Sequence, residues 1–157
     1  MSLQTSNISN LAAELAARFE LGLSSHASII SWADKIIVEL TQPPIELVNL
    51  SLSATNGAGV LELLEKLAVG SDPKSVQPAL AAFRKQVNAG TIRLRDAISR
   101  MQDFAHRHSD AVGTEMRDFL VWADDEYDLI DRGYIDRTHE QLRAALDEQL
   151  RRSAGET

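Results

Sequence analysis

The chain has 157 residues, 44% of them hydrophobic and 25% charged, a composition typical of a folded globular protein rather than a disordered one. It contains no cysteine, which excludes disulfide bonds, thiolate metal sites and a cysteine nucleophile. The formal net charge of −7 argues against a nucleic-acid partner, because phosphate groups would be repelled. The length favours one domain, expected over 9–152, between a flexible N-terminus at 1–8 and a disordered tail at 153–157.

The first predicted helix starts at Ser9 or Asn10, because serine and asparagine side chains cap helix N-termini. Its apolar residues lie on one face, and Gly22 is the expected stop signal. Ser24 or Ser25 is then expected to cap the second helix.

The second predicted helix is the expected centre of the core, because its apolar residues recur at the i, i+3, i+4, i+7 spacing of one helical face. These residues are Ile29, Trp32, Ala33, Ile36, Ile37 and Leu40. Trp32 is the largest, so we expect it to be the main anchor of the core. Pro43 and Pro44 end this helix, since proline fixes φ and lacks an N–H group, and a short apolar helix is predicted over 45–52.

Glycines and prolines delimit the elements in the middle of the chain. A turn-rich linker is predicted at 53–59, followed by a helix over 60–69 that Gly70 closes. Two arrangements are open after it: a first turn at 73–76 before a fresh helix, or one helix with Pro78 in its first turn. In both arrangements the buried stripe consists of Val76, Leu80, Phe83 and Val87.

Three further helices are predicted in the second half of the chain. After a turn at 88–90, Thr91 is expected to cap the first of them. A long helix is predicted over 110–131, with Gly133 as its stop, and Thr138 opens the last one with the pattern of a capping box. The inward positions of the long helix are Met116, Phe119, Leu120, Ala123, Tyr127 and Ile130. No alternating strand pattern is found, so we predict an all-α fold. It is expected to be an irregular bundle of about seven or eight helices, for which stacked helical hairpins are one arrangement.

The sequence lacks the motifs that carry catalysis or metal binding. His106 and His108 are two residues apart, and such a pair points to different sides of a helix. Gly57 and Gly59 precede a helix, but Glu62 stands where a dinucleotide-binding loop needs its third glycine, and no Gly-Lys-Ser/Thr follows. Glu-x-x-His pairs and the protease, hydrolase and kinase signatures are also missing. We therefore expect no metal, no cofactor and no enzymatic activity.

Charge is distributed unevenly along the chain. Residues 53–107 carry 8 basic and 5 acidic side chains, whereas residues 108–157 carry 6 basic and 13 acidic ones. A basic middle region therefore precedes a strongly acidic C-terminal third.

The most unusual surface feature is a group of acidic residues in the long helix. Asp124, Asp128 and Asp131 follow one another at i, i+4 and i+7, and Asp118 and Asp125 share a second strip. Like charges so close repel one another, which a cationic partner would offset. Two interpretations are open: a solvated face, neutralised in part by arginines or by the basic middle region, or a surface that binds a partner. The predicted contact residues are Asp118, Asp124, Asp125, Glu126, Tyr127, Asp128, Asp131 and Tyr134.

In broad type the chain resembles bacterial immunity proteins and antitoxins, because it is small, acidic, helical and free of cysteine and of catalytic signatures. The resemblance implies a protein that presents acidic side chains to the basic active site of a toxin. We therefore expect a non-catalytic protein-binding domain whose partner is another protein with a basic surface. The sequence shows no signal peptide or membrane-spanning run, so a cytoplasmic location without a membrane partner is expected.

Two alternatives remain. The chain is a structural or regulatory helical module that forms a homodimer through its own acidic and basic surfaces, or it is an enzyme with a pocket that the sequence does not reveal.

Overall fold

The computed structural model describes residues 2–53 and 59–157. Over these residues the fold is all-α, as predicted, with eight α-helices and no strand. Their bounds are α1 Ser2–Glu20, α2 His26–Glu39, α3 Ile45–Ser51, α4 Val60–Leu67, α5 Gln77–Asn88, α6 Leu94–Arg107, α7 Ser109–Asp131 and α8 His139–Ser153. The linker predicted at 53–59 lies largely outside the described residues.

The chain divides into two compact units, Met1–Ser75 (unit 1) and Val76–Thr157 (unit 2). Unit 1 contains α1 to α4, and unit 2 contains α5 to α8. The expectation of a single domain over 9–152 stays a prediction.

Helix α1 begins earlier than the sequence pattern suggested. The segment 1–8, expected to be flexible, is helical from Ser2 onward. Ser9 does not cap the helix, because its buried hydroxyl instead donates to the carbonyl groups of Ala68 and Val69, at 3.3 Å each. A residue type typical of helix starts thus ties the middle of α1 to the chain just after α4.

The core of unit 1 forms where α1 packs on α4, and where α3 packs on both α2 and α4. Its buried residues are Ala12, Ala16, Ile29, Ala33, Leu47, Leu50, Val60 and Leu64. The alanines of α1 and α2 have small side chains, which allow close packing of neighbouring helices. Trp32, the expected main anchor, is only half-buried and packs against this cluster from outside it.

Local sequence signals set the ends of the helices in unit 1. The Ser25 hydroxyl accepts the backbone N–H of Ser28 at 3.2 Å, which caps α2 as predicted. Helix α2 ends at Glu39, ahead of Pro43 and Pro44, and α3 begins directly after the two prolines.

In unit 2, α5 packs against α8, α8 against α7, and α7 against α6. A 3₁₀ turn over Pro73–Val76 precedes α5, which is the first of the two arrangements left open by the sequence. The large side chains that are fully enclosed in unit 2 include Leu80, Phe83, Ile98, Met101, Phe104, Met116, Leu120, Leu142, Leu146 and Leu150.

Helix α6 starts later than predicted. Its first residue is Leu94, with Arg93 at the cap position, so Thr91 is not its cap. The Thr91 hydroxyl donates instead to the carbonyl oxygen of Gln86 at 2.9 Å. Ile92 and Leu94 are both buried, and the extended backbone at Arg93 allows the chain to bury them before the helix begins.

Helix α7 covers the predicted segment 110–131 but is interrupted near its start. Gly113 adopts φ 81° and ψ 167°, a conformation that is essentially restricted to glycine, and the continuous helix follows it. At the start of α8 the predicted capping box is present. The Thr138 N–H donates to Gln141 at 2.9 Å, and the Gln141 N–H donates to Thr138 at 3.2 Å.

The C-terminal residues 153–157, expected to be disordered, are folded against the rest of unit 2. Ala154 is buried, and the Arg151 guanidinium donates to the carbonyl oxygen of Glu156 at 2.9 Å. The Glu156 carboxylate lies 3.4 Å from the Arg84 guanidinium. These bonds hold the tail, and a pattern based on helical periodicity does not detect them.

Asp147 of α8 is held by two residues of α5. Its Oδ1 accepts a hydrogen bond from Arg84 Nε at 2.6 Å and another from Asn88 Nδ2 at 2.7 Å. The hydrogen bond from Arg84 holds the pKa of the Asp147 carboxyl below its ordinary value. A pKa that is lower in the folded state adds stability above the unfolded-state pKa, and this contribution disappears as the pH falls through the folded-state pKa.

We expect Asp147→Asn to lower the free energy of unfolding at neutral pH by about 1–2 kcal/mol, because charged hydrogen bonds become neutral ones. The variant should also lose less stability than the wild type as the pH falls below about 4. Urea unfolding at several pH values measures both effects. Asp103→Asn, at an exposed carboxylate of α6, is the control and should follow the wild type. Parallel acid profiles for wild type and Asp147→Asn would contradict the prediction.

Candidate functional site

The acidic residues of α7 divide into paired and unpaired groups. Residues 114–132 carry seven acidic and two basic side chains. Ion pairs with arginines from other parts of unit 2 involve Glu115, Glu126 and Asp128. Within the described part of the chain, Asp118, Asp125 and Asp131 are exposed and make no ion pair or hydrogen bond. Asp124 is half-buried.

Asp128 and Tyr127 belong to a stack of side chains inside unit 2. Arg95 of α6 donates to Asp128 at 2.7 Å, and this hydrogen bond holds the pKa of the Asp128 carboxyl below its ordinary value. The Arg95 guanidinium also lies over the Tyr127 ring, 5.1 Å from its centre, and that ring stacks on His139 with 4.6 Å between ring centres. The basic middle region therefore neutralises Asp128, and the Tyr127 ring packs against both Arg95 and His139.

Glu126 is buried rather than presented at the surface. The residue is 9% exposed, and its Oε2 lies 2.8 Å from Arg137 Nε. The Arg137 guanidinium lies 5.1 Å from the centre of the Trp122 ring, and the Phe119 ring packs 5.5 Å from the same tryptophan. The spacing could have revealed the position of Glu126, because it follows the buried Ala123 by three residues. The guanidinium that pairs with Glu126 is thus the one that packs beside Trp122.

One outward strip of α7 combines the free carboxylates with exposed apolar side chains. It consists of Asp118, Val121, Trp122, Asp125 and Leu129, which we call the α7 strip. The other four members lie 3, 4, 7 and 11 residues after Asp118, so the strip follows one side of the helix for about 16 Å. Val121 is 65% exposed, and Trp122 and Leu129 are each 38% exposed. The predicted contact residues did not include Val121, Trp122 or Leu129, because these three lie outside both the acidic cluster and the inward stripe of α7.

Asp131 is the last residue of α7 and Tyr134 lies in the turn that follows it, both outside the side of the helix that carries the α7 strip. The last turn of α7 contains no basic residue, so the Asp131 carboxylate opposes the negative end of the helix dipole. Tyr134 is 71% exposed, and its backbone N–H donates to the Leu129 carbonyl at 2.9 Å. The turn that carries Tyr134 is thereby fixed against the end of α7.

We expect Asp131→Asn to raise the free energy of unfolding by about 0.3–1 kcal/mol, because it removes a negative charge from the C-terminal end of a helix. Asp125→Asn is the matched control, since it removes an exposed carboxylate from the middle of the same helix, where the dipole has little effect. Thermal and urea unfolding of both variants measure the difference. A destabilised Asp131→Asn protein would show that Asp131 has a structural role.

Two hollows on the surface bear on the enzyme alternative. One lies in unit 2 beside Asp136, Arg137 and Gln141, with a volume of about 470 Å³. The other lies in unit 1 between α1 and α2, with a volume of about 180 Å³; its lining residues are Asn7, Ile8, Leu11, Ile36, Glu39 and Leu40. Neither lining includes a histidine beside a buried carboxylate, the feature that would favour an enzyme. Among the described residues, no group of three or more histidine, aspartate or glutamate side chains is placed so that it could hold a metal ion.

Every helix in the described part of the chain is too short or too polar to cross a membrane.

Comparison with protein-family models, curated proteins and solved structures gave no match for this chain. The fold and the surface therefore define the protein by class alone: an all-α protein whose longest helix presents free carboxylates next to exposed apolar side chains.

Proposed function

We propose that the protein is a non-catalytic binding protein whose α7 strip, together with Asp131 and Tyr134, holds a basic surface of another protein. The observation that carries the proposal is that Asp118, Asp125 and Asp131 stay exposed and unpaired among the described residues, although arginines of unit 2 neutralise their neighbours. Like charges on one helix repel one another, and the cations of a partner would turn this repulsion into attraction.

The charge of the whole chain supports the same proposal. With a net charge of −7, the protein attracts a basic partner from a distance and accelerates its association. Because salt screens this attraction over about 8–10 Å, added salt should slow association more than it speeds dissociation.

The biological role that fits this chemistry is neutralisation of a basic toxin in the bacterial cytoplasm. A toxin that acts on a phosphate-containing substrate carries cations in its active site, and an acidic helix face can occupy such a site. The small size, the acidity and the helical fold of the chain support this role, as in the immunity proteins and antitoxins that it resembles in type.

Two charge-reversal variants test the proposal. The α7 variant carries Asp118→Lys and Asp125→Lys, and the α6 variant carries Asp96→Lys and Asp103→Lys. Both reverse two exposed carboxylates seven residues apart on one helix of unit 2, so they match in charge and spacing. Wild type and both variants are immobilised and exposed to lysate of the native cell, and bound proteins are identified by mass spectrometry.

A basic protein should be retained by the wild type and the α6 variant and lost by the α7 variant. Its association rate with the wild type should then fall as salt is raised. Equal retention by both variants would place the contact elsewhere on the protein. Light scattering addresses the homodimer alternative: a dimer of the wild type that dissociates in salt, without any captured partner, would favour self-association.

A further inference from the structure

We infer that the segment bound by the α7 strip is a basic amphipathic α-helix of the partner, an inference that rests on the proposed function. The strip is neither purely charged nor purely apolar. Val121 and Trp122 lie between Asp118 and Asp125, and Leu129 follows one turn after Asp125. A complementary segment therefore carries an apolar stripe with lysine or arginine residues beside it.

The hydrogen bonding of the α7 backbone is the reason to expect a helix as the bound segment. Over the length of the strip, 118–129, the helical backbone uses its own N–H and C=O groups in hydrogen bonds, so the strip offers no free edge to which a β-strand could be added. A segment that covers apolar side chains must satisfy its own backbone groups, and a helix does this internally. Apolar residues spaced i, i+4, i+7 and i+11 on that helix would follow the strip along its full length.

Trp122 is the anchor of this surface because its position is fixed before binding. The Phe119 ring and the Arg137 guanidinium pack against it, and Glu126 holds Arg137 in place. An anchor that is already ordered loses little conformational freedom when a partner covers it. Arg137 also places a positive charge beside the tryptophan, so the partner residue opposite Trp122 is apolar, whereas those opposite Asp118 and Asp125 are basic.

A second copy of this chain fits the strip less well than a basic helix. Two copies packed strip to strip would bring Asp118 and Asp125 of both copies into one interface, where no cation of the strip is present to pair with them. Unpaired carboxylates of like charge oppose such an interface. Charge complementarity therefore favours a basic partner helix over a dimer in which two copies pack strip to strip.

Synthetic peptides provide a defined probe. The first is an 18-residue peptide of leucine, lysine and alanine, with leucines at i, i+4, i+7 and i+11 and lysines on both sides of that stripe. The second has the same composition in an order that destroys the stripe. In a Trp32→Phe background Trp122 is the single tryptophan, so its emission reports directly on the α7 strip.

The first peptide should shift the Trp122 emission to shorter wavelength, gain helical circular dichroism on binding and bind at least tenfold more tightly than the scrambled peptide. The variant Val121→Ser with Leu129→Ser should weaken its binding about tenfold. Asp118→Lys with Asp125→Lys should weaken it by at least as much. The α6 variant, Asp96→Lys with Asp103→Lys, should bind as the wild type does.

Failure of this inference is distinguishable from failure of the proposed function. Equal binding of both peptides, or binding unaffected by Val121→Ser with Leu129→Ser, would show attraction by charge alone and would overturn the partner helix. No binding of either peptide would also overturn it. In all these cases, loss of the native partner by the α7 variant alone would still support the proposed function. Retention of that partner by the α7 variant would contradict both the proposed function and the partner helix.

Discussion

Phe83→Ala is expected to lower the free energy of unfolding of unit 2 by about 3–5 kcal/mol, the range for deleting a large aromatic side chain from a packed core. Phe83 is 0% exposed and lies on the stripe of α5 that also carries Leu80 and Val87. Helix α5 packs against α8, so the missing ring would leave a cavity between these two helices. Urea unfolding followed by circular dichroism measures the loss.

Phe119→Ala is the matched control for this prediction. It deletes the same side chain from α7, where Phe119 is only half-buried and packs against Trp122 at the surface. Because less apolar area leaves the core and water can enter the space, we expect a loss of about 1–2 kcal/mol. A loss at Phe83 no larger than that at Phe119 would contradict the position of Phe83 at the centre of unit 2.

The parts of the fold that the sequence predicted are those decided by neighbouring residues. Ser25 caps α2 through a residue three positions away, and Thr138 and Gln141 form a capping box over the same distance. Pro43 and Pro44 end a helix through their own covalent geometry. For such features the cause lies within one helical turn of the effect, so the sequence pattern is sufficient.

The predictions that failed concern residues whose bonding partners are distant in the chain. Ser9 is a residue type that caps helices, yet it bonds to carbonyl groups about 60 residues away. Trp32 has the right spacing for a core position, but α2 buries Ile29 and Ala33 instead and leaves the tryptophan at the edge. These cases are decided by contacts between segments that are distant in the chain, and composition and periodicity do not specify such contacts.

The candidate site shows the same division. The acidic character of α7 could be recognised from composition, but the pairing of Asp128 depends on Arg95, which is 33 residues away. Val121 and Leu129 could have been found from sequence, because the outward face of a helix has the same period as the inward one. Exposed apolar residues that lie next to one another on the face opposite a buried stripe are a signal for contact surfaces, whereas isolated ones are not.

Arg137→Met is expected to lower the free energy of unfolding by about 2 kcal/mol, because the largely buried carboxylate of Glu126 would lose its counter-charge. The loss is smaller than for a fully enclosed pair, since the Arg137 side chain is 43% exposed and water can reach the gap. Glu126→Gln should cost less, about 1 kcal/mol, because the arginine left behind is solvated. Urea unfolding of both variants, followed by circular dichroism, measures the two losses.

The double variant, Glu126→Gln with Arg137→Met, should be more stable than the sum of the two single losses implies, by about 1 kcal/mol or more. Additive losses would mean that the two side chains do not stabilise each other in solution. Arg137 also covers one side of Trp122, so the single Arg137→Met variant should change the Trp122 emission in the Trp32→Phe background. The Arg137→Met variant retains every residue of the α7 strip, and Arg137 offers the basic peptide no attractive charge. Weaker binding of the leucine and lysine peptide by this variant would therefore come from losing the fixed orientation of Trp122.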